Sequence, residues 1–214
     1  MPQQLTLSSL PLFPLGTVLF PDGELALRVF EVRYLDMVRK CHQAGAPFGV
    51  VALESGAEVR KAGAAPEQLH RIGTLATIEE LNSPQAGLLT LRCKGSDRFQ
   101  ITSQRLLGHG LWIADVSIIP ADQSVAIPAE LQACADLLAN ALQSLRERSG
   151  EAGSPIHITP TAAQLNDCAW VSNRWCELLP IPLELKQRLM SLDNPLARLE
   201  LVSDVLEKTG IARL

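Results

Sequence analysis

The stretch LPLFPLGTVLFPDGELALRVFEVRYLDMVRKC, Leu10 to Cys41, sets the reading of the whole chain. Pro11 and Pro14 fix φ and remove two ladder donors, so the first strand is expected at an edge or a bend. Glu24–Val29 alternates like a second strand. A helix comes next in EVRYLDMVRKCHQAG, where Tyr34, Met37, Val38 and Cys41 fall at i, i+3, i+4 and i+7 and Gly45 suits the stop. Phe13, Phe20, Phe30 and Tyr34 are four of only nine aromatics (five Phe, three Trp, one Tyr). That concentration predicts a compact aromatic centre, with a binding groove as the alternative. Glu31 and Arg33 are polar residues among apolar ones, and Arg98 precedes Phe99 in a later strand. Glu31 is expected to pair with Arg98 or Arg33 in a partly sheltered contact that fixes the helix in place.

Outward from this stretch, strands are expected near Leu5–Pro11, Glu24–Val29, Phe48–Glu54, Gly73–Leu81, Leu88–Lys94, Arg98–Leu106 and Trp112–Ile119. NSPQAG, Asn82 to Gly87, reads as a turn. Ser55 to Arg71 has no clear period and reads as a long exposed loop. Short strands with one early helix suggest a small, partly closed barrel.

Beyond Pro120 the texture changes. PADQSVAIP, Pro120 to Pro128, reads as a linker, and the residues after Pro128 are Leu/Ala-rich with helical period. The expected division is 1–120, a β-rich unit, and 121–214, a helical unit. Pro128 to Arg148 carries Leu131, Cys134, Leu138, Leu142 and Leu145 on one stripe, with Pro128 as its first helical residue. SGEAGSP, Ser149 to Pro155, ends it. Thr161 and Gln164 form a capping box that starts the next helix. Pro182 begins a third helix, and Asn194-Pro195 caps a fourth that ends at Gly210. Short connections make this a four-helix, mainly antiparallel bundle. The fold class is therefore α+β, a small, partly closed barrel followed by a helical bundle.

Charge divides along the same line. Through Pro120 there are 11 Lys/Arg and 11 Asp/Glu, and beyond it 8 and 12, so the net charge of -4 belongs to the second unit. Neither unit has the basic excess of a phosphate-backbone binder, which argues against nucleic acid. No apolar run has the roughly 18–20 residues that span a bilayer. The N-terminus has no basic n-region of a signal peptide, and a cytoplasmic protein is expected.

The chemistry-bearing motifs are missing. There is no Gly-Lys dipeptide for a P-loop, no G-x-S-x-G elbow and no H-E-x-x-H. Gly108-His109-Gly110 lacks the third glycine of a dinucleotide loop, and His109 reads as a turn residue. Cys41, Cys93, Cys134, Cys168 and Cys176 contain no C-x-x-C pair and read as reduced structural thiols. Cys41 and His42 are sequence neighbours pointing about 100° apart on a helix, so they make no dyad. No cofactor and no metal are expected, and no catalytic residue is assigned.

The quoted stretch resembles the N-terminal substrate-binding domain of the Lon protease family. That family opens with L-P-L-F-P-L, then V-L-F-P-G, then F-E-x-R-Y-x-x-M. Here these are Leu10 to Leu15, Val18 to Gly23 with Asp22 inserted, and Phe30 to Met37. IGTLATIEEL, GSDRFQI, GLWIADV and ELLPIPLELKQRLMSLDNPLARLELVSDVL continue the likeness over nearly the whole chain. The resemblance implies a PUA-like twisted β-barrel followed by a helical bundle, without the ATPase and Ser–Lys peptidase modules of full-length Lon proteins. It implies a non-enzymatic module that recognises unfolded or degron-bearing polypeptide, serving as an adaptor or regulator in protein quality control. A protease partner and a homo-oligomer are compatible with it. An RNA-binding PUA-like protein is the alternative.

Polypeptide recognition needs exposed apolar surface or an open strand edge. One candidate is the proline-flanked edge with Leu15, Val18 and Phe20. The other is Trp170. In a helix from Thr161 the apolar stripe is Leu165, Cys168, Ser172, Cys176 and Leu179, and Trp170 falls on the polar side. It is there either covered by another element or an interaction site, while Trp175 lies nearer the stripe and reads as core.

Overall fold

In a computed structural model, the structure describes residues 5–58, 65–152 and 159–211, with 148–152 in backbone only. His157 and Gly153 to Pro155 of the expected helix stop lie outside the described residues. The chain divides into two compact units, Met1–Ala121 and Asp122–Leu214.

The first unit is a twisted seven-stranded sheet with one helix. Its strands are β1 (Thr6–Leu15), β2 (Glu24–Val29), β3 (Phe48–Ser55), β4 (Gln68–Leu69), β5 (Ile72–Gln85), β6 (Leu88–Leu106) and β7 (Trp112–Ile118). The order is β1-β7-β6-β5-β3-β4, with β2 off the path and paired to β6. β1 pairs β7 antiparallel and also pairs β3 in parallel, so the path of neighbours returns to its start.

β1 is therefore not the expected edge. Its first part pairs β7 from Thr6 to Leu12, and its second pairs β3 from Leu12 to Leu15. Each part has one side without a strand partner, which is the setting that tolerates Pro11 and Pro14. The expected strands Leu88–Lys94 and Arg98–Leu106 are one continuous strand, β6. Gly95 lies between them, where β6 passes so close to the chain after β1 that a Cβ would clash with the Phe20 carbonyl. The turn expected over Asn82–Gly87 is tighter: β5 runs to Gln85, which pairs Leu88 across Ala86 and Gly87.

The stretch Ser55–Arg71, expected as an exposed loop, contains β4 and the buried residues Glu67 and Leu69. The helix α1 (Val32–Ala44) matches its predicted period, and Gly45 closes it with a φ of 60° that favours glycine. Phe13, Leu15, Leu19, Tyr34, Val38, Phe48, Leu91 and Cys93 share one core cluster with α1. Leu12, Val51, Phe99, Ile101, Trp112 and Val116 form a second.

The second unit holds α2 (Gln132–Ala152), α3 (Ala162–Leu165), α4 (Cys168–Leu178), α5 (Leu183–Met190) and α6 (Pro195–Thr209). Pro128 is not helical. It is the extended cap of a 3-10 turn, Ala129–Leu131, that precedes α2. The Thr161/Gln164 capping box is present, but its helix is one turn long. Asp167 then caps a new helix by accepting from the Trp170 N–H at 2.9 Å. Asn194 caps α6 through Leu196 and Ala197, and Gly210 ends it.

The stretch read as a linker packs into this unit. Ser124 Oγ donates to Asp167 at 2.6 Å, the Cys168 N–H donates to Val125 O at 2.9 Å, and Ile127 is buried. Asp122 receives Nη1 of Arg198 at 2.8 Å. Arg198, 1% exposed, also donates to Leu189 O, Leu192 O and Asn173 Oδ1. One guanidinium thus ties the segment before α2 to α4, α5 and α6.

Candidate functional site

α1 begins where Glu31 ends the extended chain after β2. The Glu31 carbonyl accepts the N–H groups of Tyr34 and Leu35, which starts the helix. Its carboxylate lies 2.9 Å from Nη2 of Arg33. Of the two expected partners for Glu31, Arg33 is the one that forms this pair, and Arg98 is buried in β6 at 4% exposure.

Arg33 does more than hold Glu31. Nη1 donates to the Gly110 carbonyl at 2.7 Å, at the turn between β6 and β7. The same atom lies 3.8 Å from Oε1 of Glu67. The other oxygen of Glu67 accepts from Trp112 Nε1 at 3.1 Å. The guanidinium stands 4.5 Å from the Tyr34 ring centroid, and Tyr34 stacks on Phe13 at 4.1 Å with an 11° angle. Arg33 therefore ties the start of α1 to β7, to its preceding turn and to the segment before β4. Sequence reasoning missed Gly110 and Glu67 as its partners, and Trp112 as the partner of Glu67. Nothing in the pattern around Glu67 marks it as buried, because it comes after a stretch with no period.

Two apolar side chains flank this buried network at the surface. Phe30 is 57% exposed and Val32 is 74% exposed. Phe30 is thus not part of the aromatic centre, which contains Phe13, Tyr34 and Phe48. The candidate binding residues chosen from sequence are elsewhere. Leu15, Val18 and Phe20 are buried, Phe20 completely, because β1 and the chain after it lie inside the sheet rather than at its edge. Trp170 is 7% exposed. The break at Asn166–Asp167 starts a new helix, and α4 is covered on all sides, with Asn173 and Arg174 buried as well. Trp175 is core and donates from Nε1 to Cys134 O at 2.9 Å.

All five cysteines are buried free thiols. Burial pushes Cys93 and Cys176 up to about 12, so neither is a thiolate near neutrality. Among the described residues no group of His, Cys, Asp and Glu could hold a metal ion. No described helix is long and apolar enough to cross a membrane.

The first unit is thus a twisted mixed sheet with exposed Phe30 and Val32 beside a buried ion network. The sequence matches the model of the ATP-dependent protease La (LON) substrate-binding domain over residues 9–208, and the chain belongs to that family. It is similar to the crystal structure of a Lon N-terminal domain protein from Xanthomonas campestris, with 32% identity and a TM-score of 0.69. That alignment covers 92% of this chain and 98% of that one. The N-terminal domain of the Mycobacterium avium complex Lon protease shares the fold, with a TM-score of 0.56 at 16% identity over 92% of this chain and 96% of that one. No curated protein matches the chain.

Proposed function

We propose that this protein is a non-catalytic polypeptide-recognition module, an adaptor or regulator in cytoplasmic protein quality control. The family match over residues 9–208 carries this reading. It takes up nearly all of the 214 residues. The unreactive thiols and the exposed Phe30 and Val32 support binding rather than chemistry. We read the returning path of strand pairings as the PUA-like barrel, and the helices of 122–214 as the helical bundle. The occupant is unfolded or degron-bearing polypeptide, delivered to or withheld from a protease.

The test is binding of a permanently unfolded, reduced and alkylated protein, followed by anisotropy with its folded form as control. Preferential binding of the unfolded form supports the reading. Absence of binding, or steeply salt-dependent RNA binding in its place, overturns it.

A further inference from the structure

β2 has an open side along its whole length, and the backbone register says which groups it offers. β2 pairs only with β6, without a register shift from Glu24↔Lys94 to Val29↔Leu89. The Gly95 N–H donates to Gly23 O at 2.8 Å, which makes Gly23 and Gly95 a hydrogen-bonded pair. Such pairs recur at every second residue of an antiparallel ladder. Leu25, Leu27 and Val29 therefore bond β6, and the N–H and C=O groups of Glu24, Ala26 and Arg28 point away from it. No described strand takes them up.

The two faces beside this edge differ in polarity. Leu25 and Leu27 are half-buried against the core cluster of Tyr34 and Leu91. On the opposite face, Glu24 and Arg92 lie 3.9 Å apart, and Arg92 also holds Glu79 and Glu80 at 3.1 and 2.7 Å. Ala26 and Arg28 are exposed there, and Arg28 has no ion pair among the described residues. Phe30 lies exposed at the end of the strand.

We infer that β2 is a docking edge for an extended polypeptide segment that adds to the sheet as a further strand. This rests on the polypeptide-recognition reading above and assigns it a place and a pattern. The segment alternates apolar and polar residues. Its apolar side chains cover Leu25 and Leu27, an acidic residue stands beside Arg28, and its end covers Phe30.

The intact protein is titrated with a short labelled peptide alternating Val and Thr with one Glu. Peptides N-methylated on one alternate set of amides should lose at least tenfold in affinity, while methylation of the other set leaves it unchanged. Ala26→Pro removes an outward donor without breaking a bond to β6, and should cost at least tenfold. Ala26→Thr should bind as the parent does. Arg28→Glu should weaken the Glu peptide and favour its Lys counterpart. Equal effects of both methylated sets, or full binding by Ala26→Pro, overturn the edge site while peptide binding itself stands. If Ala26→Pro fails to fold, the methylation comparison on the parent protein decides alone. A parent protein that binds neither the peptide nor unfolded protein overturns the recognition reading as well.

Discussion

β1 and β2 differ in how many strands flank them. β1 carries two prolines, the usual mark of an edge, yet it has strand neighbours on both sides. β2 carries no proline and has one neighbour. The difference teaches that proline marks a backbone position without a bond, not a strand without a partner. β1 changes partner at Leu12, and each of its parts leaves one side open. β2 keeps one side open along its length, with Ala26 and Arg28 exposed beside it. Val18, Leu19 and Phe20 after β1 are core, whereas Phe30 and Val32 after β2 are exposed.

The largest test of this contrast is Phe20→Ala. Phe20 is fully buried, and the change should cost about 3–5 kcal/mol in urea unfolding. A loss under about 1 kcal/mol would return the β1 segment to the surface. Next comes Arg33→Met at the join of β2 and α1. It removes the cation beside the buried Glu67 carboxylate and should cost about 3 kcal/mol, with the double variant Arg33→Met/Glu67→Gln recovering part of it. Full additivity of the two changes would show that they do not interact.

Asp115 gives a smaller effect, on β1 again. Ser9 has a φ of 56°, and its N–H bonds the Asp115 carboxylate at 2.9 Å where the ladder with β7 is interrupted. That bond, with the one from Ser103 Oγ, lowers the carboxyl pKa below its ordinary value. A carboxylate lowered in the folded state stabilises above its unfolded pKa of about 4 and loses this as pH falls through the folded value. The Tm gap between the parent and Asp115→Asn should be largest near neutrality and close towards pH 2. A gap that persists in acid would show that shape, not charge, holds the bulge. The smallest effect on stability is expected for Phe30→Ser beside β2, within about 0.5 kcal/mol. The same variant should weaken binding of unfolded protein, read by anisotropy.

Local pattern made much of this legible. The i, i+3, i+4, i+7 spacing of α1, its Gly45 stop, the Thr161/Gln164 box and the Asn194 cap are short-range features, and each forms as read. The Glu31–Arg33 contact was also within reach, because its partners lie two positions apart. Trp170 was not. A helical wheel assumes one helix, and the break at Asp167 makes two. Glu67 was not legible either, since its partners Arg33 and Trp112 lie 34 and 45 positions away.

By itself the sequence determined the family, the order of most elements and the absence of reactive motifs, because these are written in residue type and local spacing. Only the tertiary structure decided what is surface. Whether an apolar side chain is covered depends on which strands pair, and pairing is settled by segments distant in sequence: β7 and β3 close over β1, while β2 keeps one side open.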